Sequence, residues 1–185
     1  MRRIITSNMV SLDGYLAGPG GDLSWHVISD EFHSYAVDTM SAAGSLIFGR
    51  ITYQVMESYW PSEDVKVSDP IVAAQMNGLE KIVFSKTLKS VVWENTRLIN
   101  SDVEKNILEL KSMAGKDMLI LGSGSIVSAL TAADLIDEYR IFICPVLLGA
   151  GIYQFNGLPH KKNLTLTDCK KLDSGVIKLC YQPIK

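Results

Sequence analysis

The stretch Met118-Leu119-Ile120-Leu121-Gly122-Ser123-Gly124-Ser125 decides how the rest of this sequence is read. Four apolar residues in a row, running into glycine, have the pattern of a strand buried on both faces of a parallel sheet. Past the turn, Ile126, Leu130 and Ala133 recur at helical spacing, so the predicted unit is strand, glycine turn, helix. Such a turn sets backbone N–H groups and the positive end of a helix above the sheet edge, where an anion can approach. The full dinucleotide fingerprint asks for a third glycine, where Val127 stands. It also asks for an acid about 20 residues further on, which this chain lacks. On this motif alone, an ordinary turn and a phosphate cradle are equally open.

Outward from that unit, strands and helices alternate. Strands are predicted at residues 3–9, 46–48, 81–84, 97–99, 118–121 and Glu138–Cys144. Ser29 is placed to cap a helix whose apolar face is Phe32, Ala36, Met40 and Ala43, with Gly44 as its stop. A short helix is expected over residues 52–59. Asp69-Pro70 has the preferred N-cap and N1 pair for a helix ending at Gly78. Ser101-x-x-Glu104 reads as a capping box ahead of Val103, Ile107, Leu110 and Ala114 on one helical face. Residues 164–169 and 176–181 alternate and read as a closing hairpin. Loops are expected over 13–29, 58–70, 85–96 and 145–163, the first made mobile or sharply turned by Gly18-Pro19-Gly20-Gly21. The class is α/β: one domain over residues 1–185, a mainly parallel sheet and an antiparallel edge.

Composition bounds the function. The chain has 185 residues, 47% apolar and 21% charged, with a formal net charge of -2. A core of that size needs no disulfide or metal, and near-neutrality removes the broad positive field with which most nucleic-acid binders meet phosphates. The uncharged run 141–159 holds two prolines and three glycines, a poor membrane span. The opening residues are too broken for a signal peptide, so the cytoplasm is expected. Cys144, Cys169 and Cys180 have no paired spacing and are expected to be small buried hydrophobes. His26, His33 and His160 lack metal-ligand spacing, so no metal is expected.

Two other strand ends carry groups suited to a phosphate. One is Gly49-Arg50-Ile51-Thr52, a glycine, a cation and a hydroxyl at a helix start. The other is Ser85-Lys86-Thr87. Each alone reads equally as surface and cap, but together with Gly122 they mark the carboxyl edge of a sheet, where ligands bind in open α/β folds. Asp13, Asp30 and Glu31 are the candidate acids, and Trp25 fits a stacking platform or simple loop packing.

These residues resemble the dihydrofolate reductase superfamily, in the branch that includes the C-terminal reductase domain of the riboflavin-biosynthesis deaminase–reductase. The resemblance rests on Ser11-Leu12-Asp13-Gly14-Tyr15, Phe48-Gly49-Arg50-Ile51-Thr52-Tyr53, Gly122-Ser123-Gly124-Ser125, and Leu135-Ile136-Asp137-Glu138-Tyr139 running on to Pro145-Val146-Leu147-Leu148-Gly149. It implies a central eight-stranded sheet flanked by helices, NADPH as cofactor, and a homodimer. By that resemblance Gly49, Arg50 and Thr52 hold the cofactor's phosphates. Ser85, Lys86 and Thr87 lie beside its adenosine and 2′-phosphate, and Gly122, Ser123, Gly124, Ser125 and Ile126 lie over the pyrophosphate and nicotinamide side. The spacing of Trp25 and Asp30 matches a substrate-holding acid in folate reductases, with Asp13 to Trp25 as the mobile loop. Asp13, Trp25 and Tyr53 would shape the pocket.

The departures fall on the substrate side. Tyr15 stands where the riboflavin enzyme has Lys, and Leu121-Gly122-Ser123 where it has Glu-Gly-Gly. The expectation is an NADPH-dependent reductase of a small pterin-like, pyrimidine-like or carbonyl compound, with Asp30 as the catalytic acid. The alternative is a non-catalytic nucleotide-binding or dimeric interaction protein on the same fold.

Overall fold

The computed structural model describes residues 1–184. In chain order the elements are β1 (Ile4–Ser11), β2 (Tyr15–Ala17), α1 (Asp30–Ala42), β3 (Ala43–Gly49), α2 (Arg50–Tyr59), α3 (Glu63–Ser68), α4 (Pro70–Gly78), β4 (Glu80–Phe84) and β5 (Thr96–Ile99). They continue with α5 (Val103–Ser112), β6 (Asp117–Ile120), α6 (Gly124–Ala132), β7 (Glu138–Cys144), β8 (Ile152–Tyr153), β9 (Leu164–Lys171) and β10 (Ile177–Pro183). Eight strands form one sheet in the order β5-β4-β3-β6-β1-β7-β10-β9, and β2 pairs with β8 in a separate ribbon. The first six of that order run parallel. β10 is antiparallel to both β7 and β9, which makes the C-terminal hairpin.

Apolar strands pack helices on both faces. On one face Met40 of α1, Tyr53 of α2 and Val72 and Met76 of α4 cover Leu46, Phe48 and Val83. On the other, Ile107 and Leu110 of α5 and Ile126, Val127 and Leu130 of α6 cover Ile47, Ile82 and Ile120. A third cluster at the β7–β10 end gathers Met9, Phe142 and Val176 with Trp25, Phe32 and Tyr35.

Several local expectations change. Ser29 caps α1, its hydroxyl accepting the Phe32 amide, but the helix stops at Ala42 and Gly44 lies inside β3. Pairing of Ala43 with Asp117 of β6 takes the chain into the sheet, and Gly44 falls at the register irregularity that follows. The cap of α5 is Asp102, which accepts the Lys105 amide, and not Ser101. Asp69 caps α4 as its spacing indicated. Cys144 and Cys180 are buried, whereas Cys169 is exposed on β9 because that strand is the sheet edge. The 13–29 segment holds β2 and a short turn of 3-10 helix at Pro19–Gly21. Among the described residues no helix is long and apolar enough to cross a membrane, and no cluster of His, Cys, Asp or Glu could hold a metal ion.

Candidate functional site

β3 and β6 are neighbours, yet the chain leaves them in opposite directions. From β3 it passes through α2, α3 and α4 to β4 on one side, and from β6 through α6 to β7 on the other. A crevice therefore opens beyond their carboxyl ends, the place where open α/β sheets bind ligands. α2 and α6 both begin there, on opposite faces of the sheet. Neither Gly49 nor Ser123, their N-cap residues, supplies a side-chain cap, and neither helix has an acid in its first turn. Two sets of free N–H groups, each at the positive end of a helix dipole, face the same crevice.

The two turns are locked together by polar side chains. The Ser123 hydroxyl accepts the Gly49 amide at 3.0 Å, and the Ser123 amide donates to Thr52 Oγ1 at 3.0 Å. Ser123 does this from a left-handed backbone (φ 56°), a conformation that costs a non-glycine residue about 1–3 kcal/mol and persists only when its surroundings enforce it. Gly122 is also left-handed (φ 65°), and a Cβ there would stand 3.0 Å from Thr52 Cγ2. At Gly49 a Cβ would stand 3.2 Å from Ile126 Cγ1. Glycine at both positions lets the two turns approach without displacing Thr52 or Ile126, and at Gly122 it also meets the left-handed backbone.

Asn8 completes the lock, and sequence reasoning passed over it. Its side-chain amide continues the β1–β6 ladder where the strands part: Gly122 N–H donates to Oδ1 at 2.6 Å, and Nδ2 donates to the Gly122 carbonyl at 3.1 Å. Nδ2 also reaches Gln154 Oε1 at 3.1 Å. Asn8 is buried in β1 beside the small hydroxyl residues Thr6 and Ser7, so the strand's own pattern did not single it out. The β2–β8 ribbon lies alongside, with Leu16 Cδ2 and the Tyr153 carbonyl each 3.2 Å from where a Gly124 Cβ would be.

Arg50 is the first residue of α2 and is exposed, its guanidinium donating to Gln54 at 3.1 Å. The Ser85 hydroxyl accepts the amides of Thr87 and Leu88, folding residues 85–88 into a tight turn that leaves Lys86 exposed. β4 adjoins β3, so this turn flanks the crevice on the Arg50 side. Ser125 and Ile126 lie against Gly49, in the first turn of α6.

On the β1 and β7 side the candidate residues are spread more widely. Asp13 follows β1 and accepts the amides of Leu148 (3.1 Å) and Gly149 (2.8 Å). The Ser11 hydroxyl and these amides hold its carboxyl below the ordinary range. Tyr15 stacks on Tyr153 with ring centroids 4.3 Å apart and its hydroxyl 2.9 Å from that of Tyr153. That bond pushes the Tyr15 phenol above its ordinary range. Asp30 is exposed in the first turn of α1. Trp25 packs towards Phe142 and donates its indole N–H to the Asp22 carbonyl at 2.9 Å. Tyr53 is 2% exposed, and its hydroxyl accepts the amides of Val92 and Trp93, which pins the 88–93 loop to α2.

Comparison with known proteins agrees with this frame. The RibD C-terminal domain matches residues 2–178. YyaP of Bacillus subtilis (strain 168), an uncharacterized protein, is 26% identical over 97% of this chain and 94% of its own. YwjB of the same organism, also uncharacterized, is 30% identical over 95% of each chain. Among solved structures, a putative riboflavin biosynthesis protein from Shewanella sp. PV-4 superimposes with a TM-score of 0.77 at 23% identity, over the whole of both chains. A pyrimidine reductase-like protein from Corynebacterium diphtheriae gives 0.68 at 12% identity, over all of this chain and 92% of that one. The Thermotoga maritima deaminase/5-amino-6-(5-phosphoribosylamino)uracil reductase gives 0.67 at 14% identity, over 99% of this chain and 57% of that one. Those likenesses show the fold, here an eight-stranded, mostly parallel sheet flanked by helices. The family match over nearly the whole length, on a crevice built as described, is decisive: this chain belongs to the RibD C-terminal domain family.

Proposed function

We propose that this protein is an NADPH-dependent reductase of a small heterocyclic or carbonyl compound, pterin-like or pyrimidine-like, working as a homodimer in the cytoplasm. The observation that carries the proposal is the meeting of two uncapped helix N-termini at Gly49 and Ser123, on turns drawn close by Gly49 and Gly122. A pyrophosphate suits that cradle. Arg50 would neutralise a phosphate oxygen, and the Ser85–Lys86–Thr87 turn would take the adenosine side, with Lys86 near the 2′-phosphate. Gly122, Ser123, Gly124, Ser125 and Ile126 would carry the bridge towards the nicotinamide. When bound, the cofactor supplies the hydride.

The chain's own residues then orient the substrate and manage its proton. Asp30 is the proposed acid, free in the first turn of α1 to accept a substrate N–H and to pass a proton directly or through water. Asp13 would shape the pocket through the 145–149 loop it anchors, and Trp25 through its ring. We leave Tyr53 out of the substrate set, because its hydroxyl is taken and its ring is buried. Residues 4–49 and 141–160 contain no Lys or Arg, and the cations near the start of α1, Lys170 and Lys178, are paired with Glu31 and Asp168, which favours an unphosphorylated substrate.

The test is oxidation of NADPH, followed by its nicotinamide absorbance, against matched pterins and aminopyrimidines with and without a phosphate ester. The proposal expects turnover of an unphosphorylated ring, and a kcat about 100-fold lower in Asp30→Asn. Turnover untouched by Asp30→Asn removes Asp30 from the chemistry. Cofactor binding with no turnover on any ring would favour the non-catalytic alternative.

A further inference from the structure

We propose that Gln154 is a ligand-contact residue whose side-chain Nε2 donates to a carbonyl oxygen at the ring end of what the crevice holds. That carbonyl belongs either to the nicotinamide carboxamide or to a lactam of the substrate ring. The proposal rests on the reading of the crevice as a nucleotide and substrate site, and adds to it the group that meets the ring end.

The polarity of the network around Gln154 is fixed by one backbone group. Gly122 N–H can only donate, so the Asn8 atom 2.6 Å from it is the oxygen, Oδ1. The other Asn8 atom is then the nitrogen, with two hydrogens and three acceptors in reach. These are the Gly122 carbonyl at 3.1 Å, Thr6 Oγ1 at 3.2 Å and Gln154 Oε1 at 3.1 Å. Gln154 therefore gives its oxygen to Asn8, and its Nε2 is turned away from it. Gln154 is 2% exposed, and Nε2 has no acceptor among the described residues. The network has one acceptor too many at Asn8 and none at Gln154. A donor sealed from water without a partner bears its full desolvation cost, which an incoming acceptor relieves.

Placement and charge define that acceptor. β6 lies between β3 and β1, so Asn8 stands on the opposite side of the Gly122 turn from Arg50 and Lys86, and Gln154 with it. A ligand whose phosphates lie by Arg50 brings its uncharged end here. Residues 4–49 and 141–160 contain no Lys or Arg, so an anion buried against Nε2 would lack a counter-charge, whereas a neutral carbonyl needs none. Gln154 is carried by the β2–β8 ribbon: it directly follows Tyr153, and its backbone N–H donates to the Gly14 carbonyl at 3.0 Å. The ribbon's strands have three and two residues, and a wall so lightly paired can shift to bring Nε2 to a ligand.

Gln154→Met tests the assignment, because a structural glutamine and a ligand-contact glutamine respond in opposite ways. In the variant Asn8 Nδ2 keeps Thr6 Oγ1 and the Gly122 carbonyl, and the unpaired donor is gone. The thermal midpoint should equal or exceed that of the wild type, while the ligand is held about tenfold more weakly. Two titrations distinguish the sources of the carbonyl. If it is the carboxamide, Gln154→Met shows that loss for NADPH. The wild type's preference for NADPH over its thionicotinamide analogue, whose sulfur accepts poorly, then disappears as well. If it is the substrate lactam, NADPH binding is unchanged, and calorimetry without NADPH shows the loss for an unphosphorylated pterin or aminopyrimidine. A thermal midpoint below that of the wild type, or no loss for either ligand, overturns the proposal. A wild type that binds the ring but not NADPH refutes the cofactor reading and leaves Gln154 to be decided by the ring titration; a wild type that binds neither overturns both.

Discussion

The Ser123 hydroxyl accepts a hydrogen bond from the Gly49 amide at 3.0 Å, and this one bond ties the start of α6 to the start of α2. Ser123 is 5% exposed and holds a left-handed backbone to make it. Ser123→Ala keeps the strain and loses the bond, so it should lower stability by about 1–2 kcal/mol and weaken NADPH several-fold. Ser123→Gly loses the bond but relieves the strain, so it should cost less stability while weakening NADPH as much. Thermal melts and a fluorescence titration separate the two effects. Equal stability losses in both variants would show that the backbone conformation is not strained.

Asn8 has a comparable role on the other side of Gly122. Asn8→Leu preserves bulk but leaves the Gly122 N–H and carbonyl without that partner. The expected cost is about 1–3 kcal/mol, with loss of slow amide exchange at Gly122. Retained protection at Gly122 in Asn8→Leu would show that the amide bridge is dispensable.

Lys81 offers a pH test of the core beneath the site. Its side chain is fully buried and its Nζ donates to the carbonyls of Met76, Asn77 and Leu79, closing the C-terminal end of α4. Burial pushes this ammonium down from 10.5 to about 8. Between those two values the unfolded chain binds more protons than the folded one, so the contribution of Lys81 to stability rises with pH across that window. Unfolding at pH 9 should take up about one proton, and Lys81→Met should abolish that slope while costing about 1–3 kcal/mol through the carbonyls of Met76 and Leu79 that it orphans, that of Asn77 keeping Asn95 Nδ2. An unchanged slope in Lys81→Met would assign the proton elsewhere.

The tie between Asp13 and the 145–149 loop should break in acid. The Asp13 carboxyl lies below its ordinary range in the folded chain, so its contribution is complete above the ordinary carboxylate value and is lost as pH falls through the lower folded value. Hydrogen exchange at Leu148 and Gly149 should accelerate over that acid window relative to amides in β7, and in Asp13→Asn should already be faster at neutral pH. Equal protection in wild type and Asp13→Asn would mean that another contact holds the loop.

The parts of the fold legible from sequence are those where local pattern and tertiary context agree. Glu138–Cys144, the Asp69-Pro70 helix start and the alternating C-terminal segments all lie where they were expected. Gly44 misled because glycine ends many helices, whereas here the next strand takes it up. The β2–β8 ribbon was illegible because Tyr15 and Tyr153 pair across most of the chain, with two or three residues in each strand. Within the site, glycine and cation motifs flagged the strand ends, but nothing local showed that Asn8 would bridge to Gly122. Tyr53 was expected to shape the pocket by the family resemblance; its hydroxyl accepts the amides of a loop about 40 residues away.

The central claim is that the Gly49–Ser123 crevice binds NADPH, with Arg50 and Lys86 as its cationic contacts. Titration of the purified protein with NADPH and with NADH, followed by nicotinamide fluorescence, tests it most directly. The account predicts saturable NADPH binding, tighter than NADH, and a loss of about tenfold or more for NADPH in Arg50→Ala and Lys86→Ala, with Lys86→Ala affecting NADH little. No NADPH binding at millimolar concentration, or equal losses of both nucleotides in Lys86→Ala, would contradict it.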